Sequence, residues 1–332
     1  MQTKIFIKNR KRRKEEFQFF MHDFIDECIS NGIQPLPDIL PSYRWHIRAV
    51  ARRLLLFFYR TIHKLLKKHL LRSNGDLIIT ANGSTIEDSL FPYFFGYNII
   101  PMLWDCWPDK WDTMIKDFEL FDIKTVMVTS SQIAERINKE TNVHAVWIPE
   151  GIKSSLYHKG NVLKDRTIDV MDMGRRMPKL EKILSQLKTS GIVNQIITSH
   201  INKDGNLNDK NIAYSNDELH HLMADSKIMV CFPRCDTNPE TAVEIETLTQ
   251  RYWEAMLSRC VIIGRAPKEL INIIGYNPVI DVDWNNAEEQ ITHILATISD
   301  YQELVDKNYK TAIEYADLNK RMKQILNVVN IK

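Results

Sequence analysis

Short apolar runs alternate with helical periods along the whole chain, and this alternation restricts the fold more than any other feature. KIFI (4–7), DLIIT (76–80), YNIIPML (97–103), KTVMVTS (124–130) and HAVWIP (144–149) fall in the first half. TIDVMDM (167–173), QIITS, NIAYS, KIMVCFP (227–233) and CVIIG follow in the second. Runs this short and this apolar read as strands buried on both faces, and helices between them supply the crossovers of parallel sheets, so the class is α/β. A chain of 332 residues accommodates two such domains. Residues 1–152 read as the first, the polar glycine-containing stretch 153–166 as a linker, and 167–310 as the second. Polar-apolar helical periods over 285–298 and 300–329 close the chain, and 311–332 can return as a helix onto the first domain. Two doubly wound domains in series predict a cleft between the C-terminal ends of two sheets.

The composition, 44% apolar and 26% charged without a biased tract, is that of a folded protein. Cys28, Cys106, Cys231, Cys235 and Cys260 are odd in number and form no C-x-x-C pair, which favours buried thiols in a reducing compartment over disulfides or zinc. The longest apolar run, LLLFFY at 54–59, is far short of the roughly 20 residues of a membrane span. The opening MQTKIFIKNRKRRKEE lacks the order of a secretory leader, so a cytoplasmic location is expected.

The net charge of +2 conceals a strong local bias. No acid lies between Asp38 and Asp76, where Arg44, Arg48, Arg52, Arg53, Arg60, Lys64, Lys67, Lys68 and Arg72 interleave with leucine, isoleucine and phenylalanine. A helix over 44–72 would carry a broad apolar face and a basic remainder. That pattern suits an anionic membrane surface, here the cytoplasmic face of an inner membrane, and equally a core helix with a solvated basic side. Nucleic acid is not expected, because stacking aromatics and a recognisable binding module are both missing.

Several groups stand where parallel sheets bind ligands. Gly174 and Arg175 follow the 167–173 strand directly, with Lys179 a turn further on, a setting suited to phosphate. Asp105 ends the 97–103 strand among Trp104, Trp107 and Trp111, where it either positions a polar acceptor or caps the next segment. Asp217 reads as the N-cap region of DELHHLMADS, whose adjacent His220 and His221 cannot share one helical face. The D-x-D at 281–283 lies beyond the last clear strand signal, and no metal site is expected there. In ETLTQRYWEAMLSRCVIIG a helix starting near Thr247 places Glu246 at its mouth and Glu254 two turns in, with Arg251 within pairing distance. Glu254 so placed needs a partner, and a ribose diol would supply two hydroxyl donors.

The segment from KIMVCFPR through ETLTQRYWEAMLSRCVIIGRAPKEL resembles the donor half of GT-B glycosyltransferases, in particular the retaining family with an E-x7-E signature and its CgeB-like and group 1 variants. VWIPEGI (146–152) resembles that family's interdomain segment and DMGRRMPK (172–179) its phosphate site; the resemblance spans about 144–280. It implies a GT-B fold of two Rossmann-like parallel-sheet domains. It implies transfer of a hexose, with retention, from a nucleoside diphosphate sugar (UDP- or GDP-linked) to a hydroxyl of a saccharide or polyprenyl-linked acceptor, as in capsule or lipopolysaccharide assembly, with no metal or other cofactor. Glu254 would hold the ribose, Glu246 would lie by the sugar, Gly174, Arg175 and Lys179 would meet the diphosphate, and Asp105 would stand where many members carry a histidine. The family's glycine-rich turn after the first glutamate is replaced by TLTQR, leaving Thr249 and Arg251 in its place, and Arg175 to Lys179 is one residue shorter than usual. A non-hydrolysing sugar-nucleotide epimerase and an inactive GT-B-like scaffold are the alternatives on the same architecture.

Overall fold

A computed structural model describes residues 4–9, 19–38, 45–66, 74–175, 177–198 and 215–330. The expected NIAYS strand, apart from Ser215, lies outside them, as do Arg44, Lys67, Lys68 and Arg72 of the basic stretch. The chain forms two compact units, Met1–Pro149 with Leu318–Lys332, and Glu150–Asp317.

The first unit is built on a parallel sheet of β1 (Ile5–Lys8), β2 (Gln34–Leu36), β3 (Asp76–Asn82), β4 (Asn98–Trp104), β5 (Thr125–Val128) and β6 (His144–Trp147), in the order β2-β1-β3-β4-β5-β6. Leu77, Ile78 and Ile79 of β3 have no exposure, as expected for a central strand covered on both faces. Helix Phe19–Ser30 stops at the expected Asn31-Gly32: Gly32 has φ +88°, and Ile33 N–H and Gly32 N–H donate to the carbonyls of Cys28 and Ile29 in a Schellman closure. Its Met21, Phe24 and Ile25 meet Ile7, Ile78 and Ile100, and helix Asn319–Asn330 adds Met322, Ile325 and Val329 to the same core.

The basic stretch forms helix Trp45–Leu66, and its charge lies elsewhere than the sequence suggests. Arg48 forks onto Asp38, Arg52 pairs with Glu87 at 2.8 Å, and Arg60 reaches Glu87 at 3.4 Å, so three of its arginines are neutralised inside the unit. Leu56 is buried and Tyr59 packs on Phe94, Phe95 and Phe121. Ile47, Val50, Leu54, Phe57 and Phe58 instead face outward, each more than half exposed. The helix is therefore apolar on two sides.

The second unit carries β7 (Ile168–Asp172), β8 (Ile196–Thr198), β9 (Ser226–Cys231), β10 (Val261–Gly264) and β11 (Val279–Asp281), all parallel, in the order β11-β10-β9-β7-β8. Alternate residues feed two cores: Met229, Cys231 and Ile262 face Tyr252, Trp253 and Met256, whereas Ile228, Val230, Val261 and Ile263 face Leu180, Leu184 and Ile291. That period of two, under helices on both sides, is the pleat of a doubly wound sheet. β11 had no clear strand signal, since only three residues pair and Asp281 is exposed.

Residues 153–166 are ordered within this unit: two 3₁₀ turns, Ser154–Leu156 and Leu163–Asp165, bury Leu163 completely. The helical period read across 300–329 divides into Gln302–Tyr315 and Asn319–Asn330. At the break Asp317 pairs in a short bridge with Ile152, and its carboxylate accepts from Ser154 N–H at 3.2 Å. Periodicity could not mark that break, because both halves keep an apolar face.

Candidate functional site

In the second sheet the strand order reverses between β7 and β9, because β8 lies on one side of β7 and β9 on the other. Such a switch opens a crevice at the strand C-termini. Gly174 and Arg175 follow β7 there. Gly174 adopts φ +99°, and a Cβ added to it would lie 3.5 Å from Arg251 Nη2, so the turn after β7 adjoins the start of helix Gln250–Leu257. Arg175 is exposed. Burial raises the Tyr252 phenol well above its usual range, and Arg175 is among the charges near enough to oppose that rise.

The helix begins later than its period suggests, with Thr249 as the N-cap residue and no side-chain cap bond from it. Glu150, from the VWIPEGI segment, does that work: its carboxylate accepts Gln250 N–H at 3.2 Å, and its carbonyl accepts Trp253 Nε1–H at 2.9 Å. Tyr252 and Trp253 are wholly buried, which fixes the rotation of the helix and turns Arg251 and Glu254 to its other side.

Glu254 Oε1 accepts the Tyr157 hydroxyl at 3.0 Å. Arg251 Nη1 lies 2.9 Å from Glu254 Oε2, yet neither atom makes a hydrogen bond and both are shielded from solvent. The contact is electrostatic and badly aligned for a hydrogen bond, so a buried carboxylate oxygen and a guanidinium N–H each keep a directional bond to give. Together they can take a hydroxyl donor and an anion side by side.

Glu246 lies apart from this pair, four residues before the helix. Its Oε1 accepts Arg265 Nη1–H at 2.5 Å and its Oε2 accepts Lys268 N–H at 3.1 Å. Arg265 also forks onto Asp236 at 2.6 and 2.7 Å, and those hydrogen bonds, more than the ones to Glu246, raise the guanidinium pKa further. The loop carrying Glu246 makes a tight turn just before that residue. Ile245 N–H donates to Ala242 C=O, and Val243 sits between them at φ 53°, ψ −110°, the first central position of a type II′ turn. Glycine normally occupies that position, and a β-branched residue there stores about 1–3 kcal/mol of strain. Buried Glu269 accepts Leu248 N–H at 2.7 Å and braces the same loop.

Lys179 turns to Trp284, with its ammonium 4.7 Å above the ring and 3.5 Å from the carbonyl oxygen. The D-x-D at 281–283 closes a turn: Asp283 accepts from Asn285 N–H and Asn286 Nδ2, and these bonds hold its carboxyl below the usual range. Asp217 does not cap its helix. Ser215 is the N-cap of Asn216–Ala224, in a reciprocal box with Glu218, as the S-x-x-E spacing requires.

In the first unit Asp105 leaves β4 at φ 49°, a left-handed conformation that costs an aspartate about 1–2 kcal/mol. A Cβ on Gly83 would lie 3.0 Å from Cys106 Cα, so the loops after β3 and β4 touch beside Asp105. The tryptophans do not form one wall: Trp104 packs on Phe20 and Phe24 in the core, and Trp111 lies under the Arg136 guanidinium at 3.8 Å.

The structure thus joins Gly174, Arg251 and Glu254, ties Glu246 to Arg265, and places Lys179 on Trp284. Tyr157, Glu150 and Arg265 were not among the expected site residues. Their only sequence signal was position, next to segments already singled out.

No protein-family model matches the chain, and no curated protein matches it in sequence. Solved structures do match in fold. Anabaena HepE in complex with UDP and glucose superposes with a TM-score of 0.60 at 10% identity, over 99% of this chain and 99% of that one. Sucrose-phosphate synthase from Thermosynechococcus elongatus gives 0.59 at 11% identity, over 98% and 94%. An α-glucosyltransferase in complex with UDP and a 13-mer DNA containing an HMU base gives 0.54 at 12%, over 98% and 99%. The fold is GT-B, two Rossmann-like parallel-sheet domains.

Proposed function

We propose that the protein is a retaining glycosyltransferase that moves a hexose from a nucleoside diphosphate sugar, a UDP-sugar first among candidates, to a hydroxyl of a saccharide or lipid-linked saccharide. The observation that carries this reading is the Arg251–Glu254 pair at the switch-point crevice, with its unspent hydrogen-bonding atoms. A ribose hydroxyl can satisfy Glu254 Oε2 and a phosphate oxygen Arg251 Nη1 once the 2.9 Å contact between the two side chains opens to the ligand. The fold relatives solved with UDP support the same choice of ligand.

In the proposed reaction the bond between the anomeric carbon and the diphosphate breaks, and a glycosidic bond forms to the acceptor oxygen on the same face. Attack from that face brings the acceptor hydroxyl beside the departing phosphate oxygen, which takes its proton. Arg175, Arg251 and the backbone at Gly174 meet the charge developing on the diphosphate, a contribution that costs no reorganisation because the groups are already placed. Lys179 joins them by leaving Trp284. Glu246, held by Arg265, receives sugar hydroxyls, Thr249 lines the same loop, and Asp105 serves the acceptor. Titration of the full chain with UDP-, GDP-, ADP- and TDP-sugars tests this reading: saturable binding of one of them, and a product of retained anomeric configuration with a saccharide or polyprenyl-linked acceptor, are expected. Absence of affinity for all four overturns it.

The outward stripe of helix Trp45–Leu66 supports work at a membrane surface, the cytoplasmic face of an inner membrane. Exposed Arg53 lies along the stripe, and the paired Arg48, Arg52 and Arg60 leave the apolar side chains as the main attraction. Replacing Phe57 and Phe58 together by serine is expected to lower partition onto anionic vesicles at least about tenfold, since each ring offers over 100 Å² of apolar area, roughly 2–3 kcal/mol. Equal flotation of the parent and the double variant rejects the surface role.

A further inference from the structure

We infer that His158, Asp217 and His221, all in the second unit, form a binding site for a divalent metal ion that favours imidazole ligands, zinc foremost. His158 lies between the two 3₁₀ turns of 153–166, and Asp217 and His221 lie one turn apart on helix Asn216–Ala224. One ligand atom from each falls within 4.8 Å of the others.

The spacing within this cluster is what points to an ion. His158 Nε2 is 3.7 Å from Asp217 Oδ1, and His221 Nε2 is 3.8 Å from Asp217 Oδ2. Both separations exceed hydrogen-bond lengths of about 2.7–3.2 Å, so the carboxylate does not serve the two rings as an acceptor. Each is within about half an ångström of the roughly 3.3 Å that separates ligand atoms on a tetrahedral ion with bonds near 2.05 Å, the two rings facing different oxygens of the one carboxylate. His158 Nε2 is shielded from solvent and has no hydrogen-bond partner, although its ring is 42% exposed. The rings of His158 and His221 stack 4.0 Å apart at 13°, and since an imidazole lone pair lies in the ring plane, the exposed His221 ring must turn out of this stack for both to hold one ion.

Two imidazoles and one carboxylate suit zinc and its late first-row neighbours, with water in the remaining position, and suit magnesium or calcium poorly. Asp217 and Glu218 in the first turn offset the positive end of the helix. The exposed side chains of Asp217 and His221, 79% and 63% accessible, have room for the rotation that ligation requires. A bound ion would fasten residues 157–158 to helix Asn216–Ala224, where Tyr157 already packs on His220 at 4.4 Å. None of the three ligands is among the groups assigned to donor binding, although Tyr157, next to His158, donates to Glu254.

Equilibrium dialysis of the full-length, untagged chain against zinc tests the inference, with cobalt(II) absorption reporting the geometry. Wild type should bind one equivalent with micromolar affinity and show the visible bands of four-coordinate cobalt. Asp217→Asn and His221→Ala should each weaken binding at least tenfold, while melting of the metal-free variants matches wild type because both positions are exposed. The inference fails if wild type binds no zinc at 100 times micromolar concentration. It also fails if both variants bind as wild type does, since the ion then sits elsewhere.

Discussion

Glu254→Ala is expected to raise the KM for the nucleotide sugar about 10- to 100-fold, with a matching loss of affinity for the free nucleoside diphosphate. The carboxylate is the acceptor proposed for the ribose, and a hydrogen bond to a charged group contributes roughly 1.5–3 kcal/mol, which at 1.4 kcal/mol per decade gives that range. Its loss also leaves Arg251 without its ion-pair partner, so the comparison requires a melting curve for each variant. Tyr157→Phe removes only the hydroxyl that holds Oε1 and should raise KM less, with kcat little changed. Isothermal titration with the diphosphate and steady-state kinetics separate the two. If Glu254→Ala binds donor as tightly as the parent, the donor assignment of the Arg251–Glu254 pair is wrong.

Gly264→Ala should be among the most damaging single substitutions in the chain. Gly264 ends β10 at φ +147°, and an added Cβ would stand 1.9 Å from the Cys231 carbonyl oxygen on the neighbouring strand. Neither the backbone conformation nor the space admits a side chain, and relief requires parting β9 from β10 at the mouth of the sheet. A cost of about 3–5 kcal/mol is expected, or a fall in Tm of roughly 10 °C or more for a unit of this size. Gly191→Ala provides the control: it also has positive φ, but nothing lies within 4 Å of its Cβ, so its cost should stay near 1 kcal/mol. Equal melting temperatures for the two variants would contradict the steric argument.

The glycine at the end of CVIIG was visible in the sequence as a strand terminus, and its close approach to Cys231 was not. Such contrasts recur. Short apolar runs announced nine of the described strands because a strand buried on both faces has no other composition, whereas β2 and β11 escaped because an edge strand of three residues need not be apolar. Glu246 and Glu254 were found as a pair by spacing, but they lead different lives. Glu254 keeps an open oxygen beside Arg251, while both oxygens of Glu246 accept bonds within the protein. Linear spacing could not separate them, since Arg265 follows Glu246 by nineteen residues and reaches it only through the folding of β10. The chain does make a glycine-type turn with Val243, but three residues before Glu246 and so outside the TLTQR stretch that replaces the family's glycines.

The basic helix shows the same division. A count of its residues predicts an apolar face and a basic face, and the period is right. Which apolar residues are covered depends on what lies beside the helix, and Glu87, Asp88 and Asp38 draw the arginines inward while Phe57 and Phe58 stay outside. His158, Asp217 and His221 come together from positions more than fifty residues apart, and adjacency in the sequence directed attention to His220 and His221 instead. The sequence by itself determined the alternation of strand and helix and the parallel sheets, because local propensity and two-sided burial are written into neighbouring residues. Only the tertiary structure decided which carboxylate keeps an unbonded oxygen, which helix face meets solvent and which histidines lie beside one carboxylate. Those outcomes depend on partners distant in the chain, and pairing consumes a side chain's charge and hydrogen bonds without leaving a mark in its own segment.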